Sequence, residues 1–300
     1  MSDPKTKCGL VAVLGAPNAG KSTLVNQMVG QKVAITSAKA QTTRARMLGI
    51  ALHEDTQMIL VDTPGIFAPK RRLDRAMVSA AWEGAEAADA VLLMVDPIKQ
   101  RRHELEPLIE ALKDRPERKI LVLNKVDKAK KEPLLALAQE LTGAVDFTEV
   151  YFVSALTGDG VPEMKEALAA MMPEGPWMYP EDQVSDASER LLAAEITREQ
   201  LYKQLHEELP YDSAVRPEKY VQRPDGSVEI HQQIVVMRDN QRAIVLGKGG
   251  SRIKAIGQAA REELSELLGQ KVHLFLHVKT DERWSDDKEM FEEMGLDWVR

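Results

Sequence analysis

The apolar run Leu10-Val11-Ala12-Val13-Leu14 leads directly into Gly15-Ala16-Pro17-Asn18-Ala19-Gly20-Lys21-Ser22, and this junction constrains the fold more than any other feature of the 300-residue chain. The pattern G-x-x-x-x-G-K-[ST], set between a strand and a helix, converges backbone N–H groups on phosphate oxygens. Its glycines allow the tight approach, and the helix N-terminus favours negative charge. Lys21 brings a point charge to the β- and γ-phosphates, while Ser22 offers a hydroxyl to Mg²⁺. Thr23 is counted with this group. A plain glycine turn is the alternative, and the strand and helix on either side weigh against it.

From Gly9 to about Met172, short apolar runs alternate with amphipathic segments, which predicts an α/β domain with a mostly parallel sheet flanked by helices. Strands are expected over residues 10–14, 47–52, 58–61, 90–95, 120–123 and 150–153, with helices starting near Lys21, Leu73, Arg102, Glu132 and Pro162. Several runs end in a polar residue: Asp62, Asp96, Asn124 and Ser154. Ligands of open parallel sheets sit at the carboxyl ends of strands, so these are the first places to look for chemistry. In Asp62-Thr63-Pro64-Gly65, the aspartate can hold Mg²⁺ through water and Gly65 can turn its N–H to a γ-phosphate. In Asn124-Lys125-Val126-Asp127, Asp127 offers the acceptor-only carboxylate that can take both the N1 and N2 protons of guanine. Lys125 can lie over the base and brace the phosphate loop. In Ser154-Ala155-Leu156, the N–H of Ala155 could reach guanine O6. Each motif alone also fits an ordinary turn; their order, each at a strand end, carries the reading.

Residues 173–186 hold three prolines, a glycine and four acidic residues, and read as a linker. The expected division is a nucleotide domain over 1–175, a linker over 176–186, and a second unit over 187–300 with a C-terminal tail helix. That unit reads as a helix over 188–208, β-like runs over 219–222 and 228–237, a glycine-rich turn, a helix, and a strand over 272–278. Ile244-Val245-Leu246-Gly247-Lys248-Gly249-Gly250-Ser251-Arg252-Ile253-Lys254-Ala255-Ile256 resembles the loop of a KH domain. There a G-x-x-G turn lets an RNA backbone come close beside an apolar groove. The resemblance implies an α+β KH unit of type II, with RNA contacts at Gly247, Lys248, Gly249, Gly250, Arg252 and Lys254. His231, Arg238 and Arg242 are further candidates, each equally readable as a solvated surface residue.

The formal net charge of -7 argues against a uniformly basic nucleic-acid binder. Counted by segment, residues 1–180 are neutral, 211–280 carry +3, and 181–210 and 281–300 carry -5 each. A mildly basic module is thus bracketed by acidic stretches. The single Cys8 excludes an intrachain disulfide and a multi-cysteine zinc site, and favours a reducing compartment. Lys5 and Lys7 ahead of an apolar run superficially resemble a signal peptide. Gly9 and Gly15 interrupt that run and Pro17 ends it, so a buried strand is expected. No apolar stretch approaches the length of about 18 residues that a membrane span requires.

With the nucleotide motifs in this order, the first unit resembles the translation-factor-related GTPases. The resemblance implies a threonine between the first helix and second strand that closes over Mg²⁺. In Gln41-Thr42-Thr43-Arg44 that residue is Thr43, with Thr42 as the alternative. Where many relatives place a water-orienting glutamine after D-x-x-G, this chain has Ile66, which implies slow intrinsic hydrolysis. In relatives with P-N-x-G-K-S loops the asparagine helps hold K⁺; Asn18 either does so or only shapes the loop. Catalytic roles are therefore expected of Lys21, Thr43, Gly65 and Asn18, and metal ligation of Ser22, Thr43 and Asp62.

A GTPase unit followed by a KH unit resembles the bacterial Era GTPases over nearly the whole chain. This implies GTP/GDP binding and GTP hydrolysis, recognition of the 3′ region of 16S ribosomal RNA, and action on the 30S subunit. A monomer in the cytoplasm is the default expectation, with peripheral contact at the inner membrane an open question. Lys70-Arg71-Arg72 reads either as a solvated helix start or as a docking point for a partner. Two other classes stay open: a membrane-associated signalling GTPase whose C-terminal unit binds protein or lipid, and a non-catalytic RNA-binding scaffold.

Overall fold

The computed structural model describes residues 6–37, 39, 41–100, 102–206 and 209–299, with Lys5 and the expected helix end at 207–208 outside them. The chain divides into two compact units. Unit 1 comprises residues up to Ala34 and Thr43–Asp186; unit 2 comprises Ile35–Thr42 and the residues from Ala187 onward.

In unit 1, β1 (Lys7–Gly15), β2 (Met47–His53), β3 (Thr56–Asp62), β4 (Ala90–Val95), β5 (Arg118–Leu123) and β6 (Glu149–Phe152) form a sheet of order β2-β3-β1-β4-β5-β6. Only β2 runs antiparallel to its neighbour, joined to β3 by a tight turn, and the other pairings are parallel. Strands β3 and β4 are buried along their whole length, as continuous apolar runs in a doubly covered sheet must be. Helices α1 (Lys21–Val29) and α5 (Val161–Met171) pack into the core on one face, with Leu24, Met28, Met164 and Leu168 meeting Val11, Leu60 and Leu92. Helices α2 (Arg72–Glu86), α3 (Arg102–Lys113) and α4 (Lys131–Ala144) supply the other, where Ala81, Leu108 and Leu141 meet Leu14 and Leu93.

Residues 173–186 are not the loose linker their composition suggests. They run as a strap within unit 1. Pro173 and Gly175 hydrogen-bond to Cys8 and Thr6. Buried Gln57 takes the N–H groups of Met178 and Tyr179 on one carboxamide oxygen, at 2.9 and 3.0 Å. Ser185 bridges Gly49, and Ile50 N–H donates to Val184. The strap thereby pairs the outer edge of β2, which would otherwise present unpaired backbone groups. The compact nucleotide unit extends through residue 186 as a result.

Unit 2 contains α6 (Glu189–Gln204), β7 (Ser213–Gln222), β8 (Val228–Val236), α7 (Asp239–Leu246), α8 (Ser251–Leu268), β9 (Val272–Thr280) and α9 (Lys288–Glu293). The sheet order is β7-β8-β9, antiparallel then parallel. Two differences from the sequence expectation stand out. Strand β7 begins six residues earlier than read, running through Pro217 with a register shift between Pro217 and Lys219. Residues 239–246 form α7, where an apolar approach to the glycine turn was expected. Its start is fixed by Gln241, whose side chain accepts the N–H groups of Met237 and Arg238. Trp284 and Phe291 are buried in the tail, and Trp284 Nε1 donates to Asp212 O. Among the described residues no helix is long and apolar enough to cross a membrane.

Candidate functional site

Strand β1 ends at Gly15 and α1 starts at Lys21, so Ala16, Pro17, Asn18, Ala19 and Gly20 form the loop between them. Gly20 has φ +104°, and a Cβ there would lie 2.2 Å from Asn124 Nδ2, so only glycine fits. Asn18 adopts a left-handed conformation with φ 62°. Two residues at the end of β5 brace this loop: Asn124 Nδ2 donates to Ala19 O at 2.8 Å, and Lys125 Nζ to Asn18 O at 2.8 Å. Lys21 is buried, with Nζ donating to Gly15 O and Ala16 O at 3.2 and 3.1 Å. Burial pushes its pKa down to about 8, against the upward pull of the Asp62 carboxylate. A phosphate seated on the loop would supply the charge that burial withholds. Thr23 follows Ser22 in the first turn of α1.

Next to the loop, three oxygens meet. Ser22 Oγ donates to Asp62 Oδ2 at 2.6 Å and lies 2.8 Å from Thr43 Oγ1, which is itself 3.3 Å from Asp62 Oδ2. Two hydroxyls and a carboxylate form a hard-oxygen set of the kind that holds Mg²⁺ while leaving positions for water and phosphate. Of the two candidate threonines, Thr43 is brought here; Thr42 Oγ1 donates instead to Lys39 O. Thr63 is turned inward, its hydroxyl donating to Val13 O at 2.7 Å, which fixes the path into Pro64 and Gly65. A Cβ on Gly65 would lie 2.8 Å from Pro17, so this glycine permits the close approach of its segment to the phosphate loop. Ile66 is buried in the sheet-and-helix core and its N–H donates to Gly15 O at 3.1 Å. Its side chain is therefore committed to packing, and it has no group to orient water.

At the base-reading end, Lys125 also pairs with buried Asp96 at 2.6 Å. Asp96 stood out in the sequence only as a polar strand end; here it fixes the side chain that braces the loop. Asp127 is exposed at the rim and Leu156 is 71% exposed. The N–H of Ala155, expected to face guanine O6, donates to Asn124 Oδ1 at 2.9 Å. Reaching a base would require it to be shared or Asn124 to turn. Ser154 is buried, its hydroxyl accepting Thr157 N–H. Lys70 and Arg71 give their backbone N–H groups to Asp74 Oδ2 at the start of α2, which fits a helix start.

In unit 2, the turn Gly247-Lys248-Gly249-Gly250 joins α7 to α8. A Cβ on Gly247 would lie 2.8 Å from that of Arg252, whereas Gly249 and Gly250 have nothing within 4 Å. That open side can admit another backbone. Lys248, Arg252 and Lys254 are exposed around it, and Ile244 exposes 46% of its surface on α7. Ile256 is buried and Ile253 partly so, anchoring α8 on the sheet. Arg238 and Arg242, at the start of α7, lie at the surface. His231 lies elsewhere, on β8, stacked on Phe275 and hydrogen-bonded to Glu229.

Comparison with known proteins finds a family model matching in each part of the chain. A family model described as "50S ribosome-binding GTPase" matches residues 10–125, and one described as "KH domain" matches residues 208–285. The chain is 83% identical to GTPase Era of Erythrobacter litoralis, with all of both chains covered. It is 55% identical to GTPase Era of Sinorhizobium medicae over 98% of this chain and 95% of that one. Among solved structures, it is similar to Era in complex with MgGDPNP and nucleotides 1506–1542 of 16S ribosomal RNA, with a TM-score of 0.92, 38% identity, and coverage of 97% and 99%. A single-residue variant of Aquifex aeolicus Era bound to GDP and aluminium fluoride matches with a TM-score of 0.91 and the same identity and coverage. A phosphate loop, a guanine-type strand end and a KH turn in one chain, with likeness along its full length, place this chain in the Era family of GTPases.

Proposed function

We propose that the chain is a GTP-hydrolysing switch that binds the 3′ region of 16S ribosomal RNA through its KH unit and acts in assembly of the 30S subunit. The observation that carries this reading is the meeting of Ser22, Thr43 and Asp62 beside Lys21, in a chain that also carries the open glycine turn. Support for the RNA partner comes from the Era structure with its 16S segment, which this chain matches along its length. Ser22 and Thr43, with Asp62 acting through water, would hold Mg²⁺, which would offset negative charge on the phosphates, and Lys21 would neutralise charge that builds on the transferred group. Asp127 reads guanine. Lys248, Arg252 and Lys254 take RNA phosphates beside the turn, while Ile244 offers apolar surface to unpaired bases. Loss of the γ-phosphate releases Thr43 and Gly65, the usual order-to-disorder event of such switches.

Two finer points belong to the same proposal. Asn18, held left-handed in the loop, would help hold K⁺ beside the phosphates, where its charge would stand in for that of an arginine finger. The protein works as a monomer where ribosomal subunits are assembled, in the cytoplasm. The test is hydrolysis of GTP by the full chain in K⁺ and in Na⁺ buffers, with Lys21→Ala beside it. Turnover that needs Lys21 and is faster in K⁺ is expected. Equal rates in the two buffers remove the K⁺ role, and turnover unaffected by Lys21→Ala removes the site.

A further inference from the structure

Among the described residues, Asn18 and Lys125 are two of four non-glycine positions with a left-handed backbone, each at φ 62°. One hydrogen bond joins them, Lys125 Nζ donating to Asn18 O at 2.8 Å. Asparagine tolerates this conformation; a lysine holds it only where its surroundings over-determine it. Asp96, just after β4, supplies that constraint. The residue is 1% exposed, and a carboxylate buried to this degree persists only when paired and hydrogen-bonded. Its two oxygens serve different partners. Oδ2 takes Lys125 Nζ at 2.6 Å, while Oδ1 takes the N–H groups of Ile98 and Lys99 at 2.9 and 3.3 Å. The backbone of Asp96 closes the same turn: its N–H donates to Gln100 Oε1 at 2.9 Å, and its carbonyl accepts Gln100 N–H at 3.1 Å. The carboxylate is therefore set by residues 96–100, and Lys125 is set by the carboxylate. Asn124 N–H, donating to Val95 O at 2.9 Å, ties the end of β5 to the end of β4.

We propose that Asp96 is a positioning residue for guanine-nucleotide retention, acting through the Lys125 side chain; this rests on the GTPase reading above. A lysine stem in solvent samples many rotamers, and a ligand that lies against it must order them on binding. With Nζ held between Asp96 and Asn18 O, that ordering is complete before the nucleotide arrives. The stem stays in one place for the base, and Asn18 O stays engaged with a cation rather than opposing phosphate oxygens. The turn at 96–100 contributes to affinity in this way, through Lys125 alone.

The test uses the full chain with Mg²⁺ and a fluorescent GDP derivative, following its release rate and affinity. Asp96→Asn keeps one oxygen for the two N–H groups of the turn but sets an amide NH₂ against Lys125 Nζ. Lys125→Met keeps the stem and removes the charged head, and the two substitutions together close a double-mutant cycle. Asp96→Asn is expected to speed GDP release and weaken affinity by about twofold to tenfold, the scale of ordering one long side chain. In the Lys125→Met background the same substitution should add nothing. A role confined to the turn predicts otherwise: wild-type release from Asp96→Asn, or an equal effect with and without the Lys125 head. Either result overturns the inference, and fast release from Lys125→Met beside it leaves the GTPase reading standing. If the Asp96 variants do not fold, Gln100→Ala loosens the turn from its other end and decides the matter: faster release only where Lys125 is present supports the inference, and an equal effect in both backgrounds overturns it. A wild-type chain with no preference for GDP over ADP overturns the GTPase reading and this inference together.

Discussion

Lys21 is the residue on which burial and charge act most directly against each other. Its pKa of about 8 in the nucleotide-free chain comes from desolvation, and phosphate oxygens around Nζ would push it back up. Nucleotide binding at about pH 8.5 should therefore take up protons, and at about pH 7 far fewer, because Lys21 is then charged before binding. Calorimetry in buffers of different ionisation enthalpy reads this directly, and Lys21→Arg, whose charge does not titrate in this range, should abolish the difference. The same shift has a sign for stability. Between about pH 8 and the ordinary lysine range the unfolded chain holds more protons than the folded one, so this group adds stability as pH rises through that window. At the other end of the site, Asp127 is exposed at a strand terminus and offers two acceptors. Asp127→Asn should move preference from guanine to xanthine nucleotides by more than about tenfold, as measured by competition, since xanthine presents an acceptor where guanine presents an amine. Unchanged preference for GTP would remove the base-reading role.

At the scale of elements, the strands of unit 1 were legible because each is a short apolar run, and four of them lead into a polar residue that stands at the site: Asp62, Asp96, Asn124 and Ser154. The strap was not. Its prolines and acids read as a linker, because what holds it is backbone pairing to a strand edge and one buried glutamine, and neither leaves a periodic pattern. Gln57→Leu should expose the consequence. It leaves the N–H groups of Met178 and Tyr179 without their acceptor, and each such loss amounts to about 1–3 kcal/mol. Denaturant unfolding should show unit 1 weakened by about 2–6 kcal/mol for the two groups together, with unit 2 unchanged. Helix α6 was legible as a helix but not as a buried one. Arg198 and Glu199 look like the polar side of an amphipathic surface helix, and only the loop packed against them shows otherwise. Helix α7 was missed because its apolar residues 244–246 read as an approach to a turn, and its start is closed by the Gln241 side chain taking the N–H groups of Met237 and Arg238 rather than by one of the usual short polar residues.

For the molecule as a whole, net charge was the wrong scale on which to choose a partner. The total of -7 conceals a core of +3 over residues 211–280, and Lys248, Arg252 and Lys254 of that segment surround the turn with an open side. Charge of this kind confers affinity that falls as salt rises, while the turn and the apolar surface at Ile244 favour single-stranded RNA. The account therefore joins two activities in one chain, and a single substitution separates them. Gly249 has φ +62° and nothing within 4 Å of where a Cβ would stand, so Gly249→Asp fits a left-handed position that aspartate tolerates. It also sets a negative charge where an RNA backbone would pass. The measurement is binding of a single-stranded RNA matching the 3′ end of 16S ribosomal RNA to wild-type chain and to Gly249→Asp, with GTP hydrolysis followed in the same samples. The account predicts tight binding by the wild type, loss of at least about tenfold in the variant, and retained turnover in both. RNA binding that is unchanged in a folded Gly249→Asp protein would contradict it.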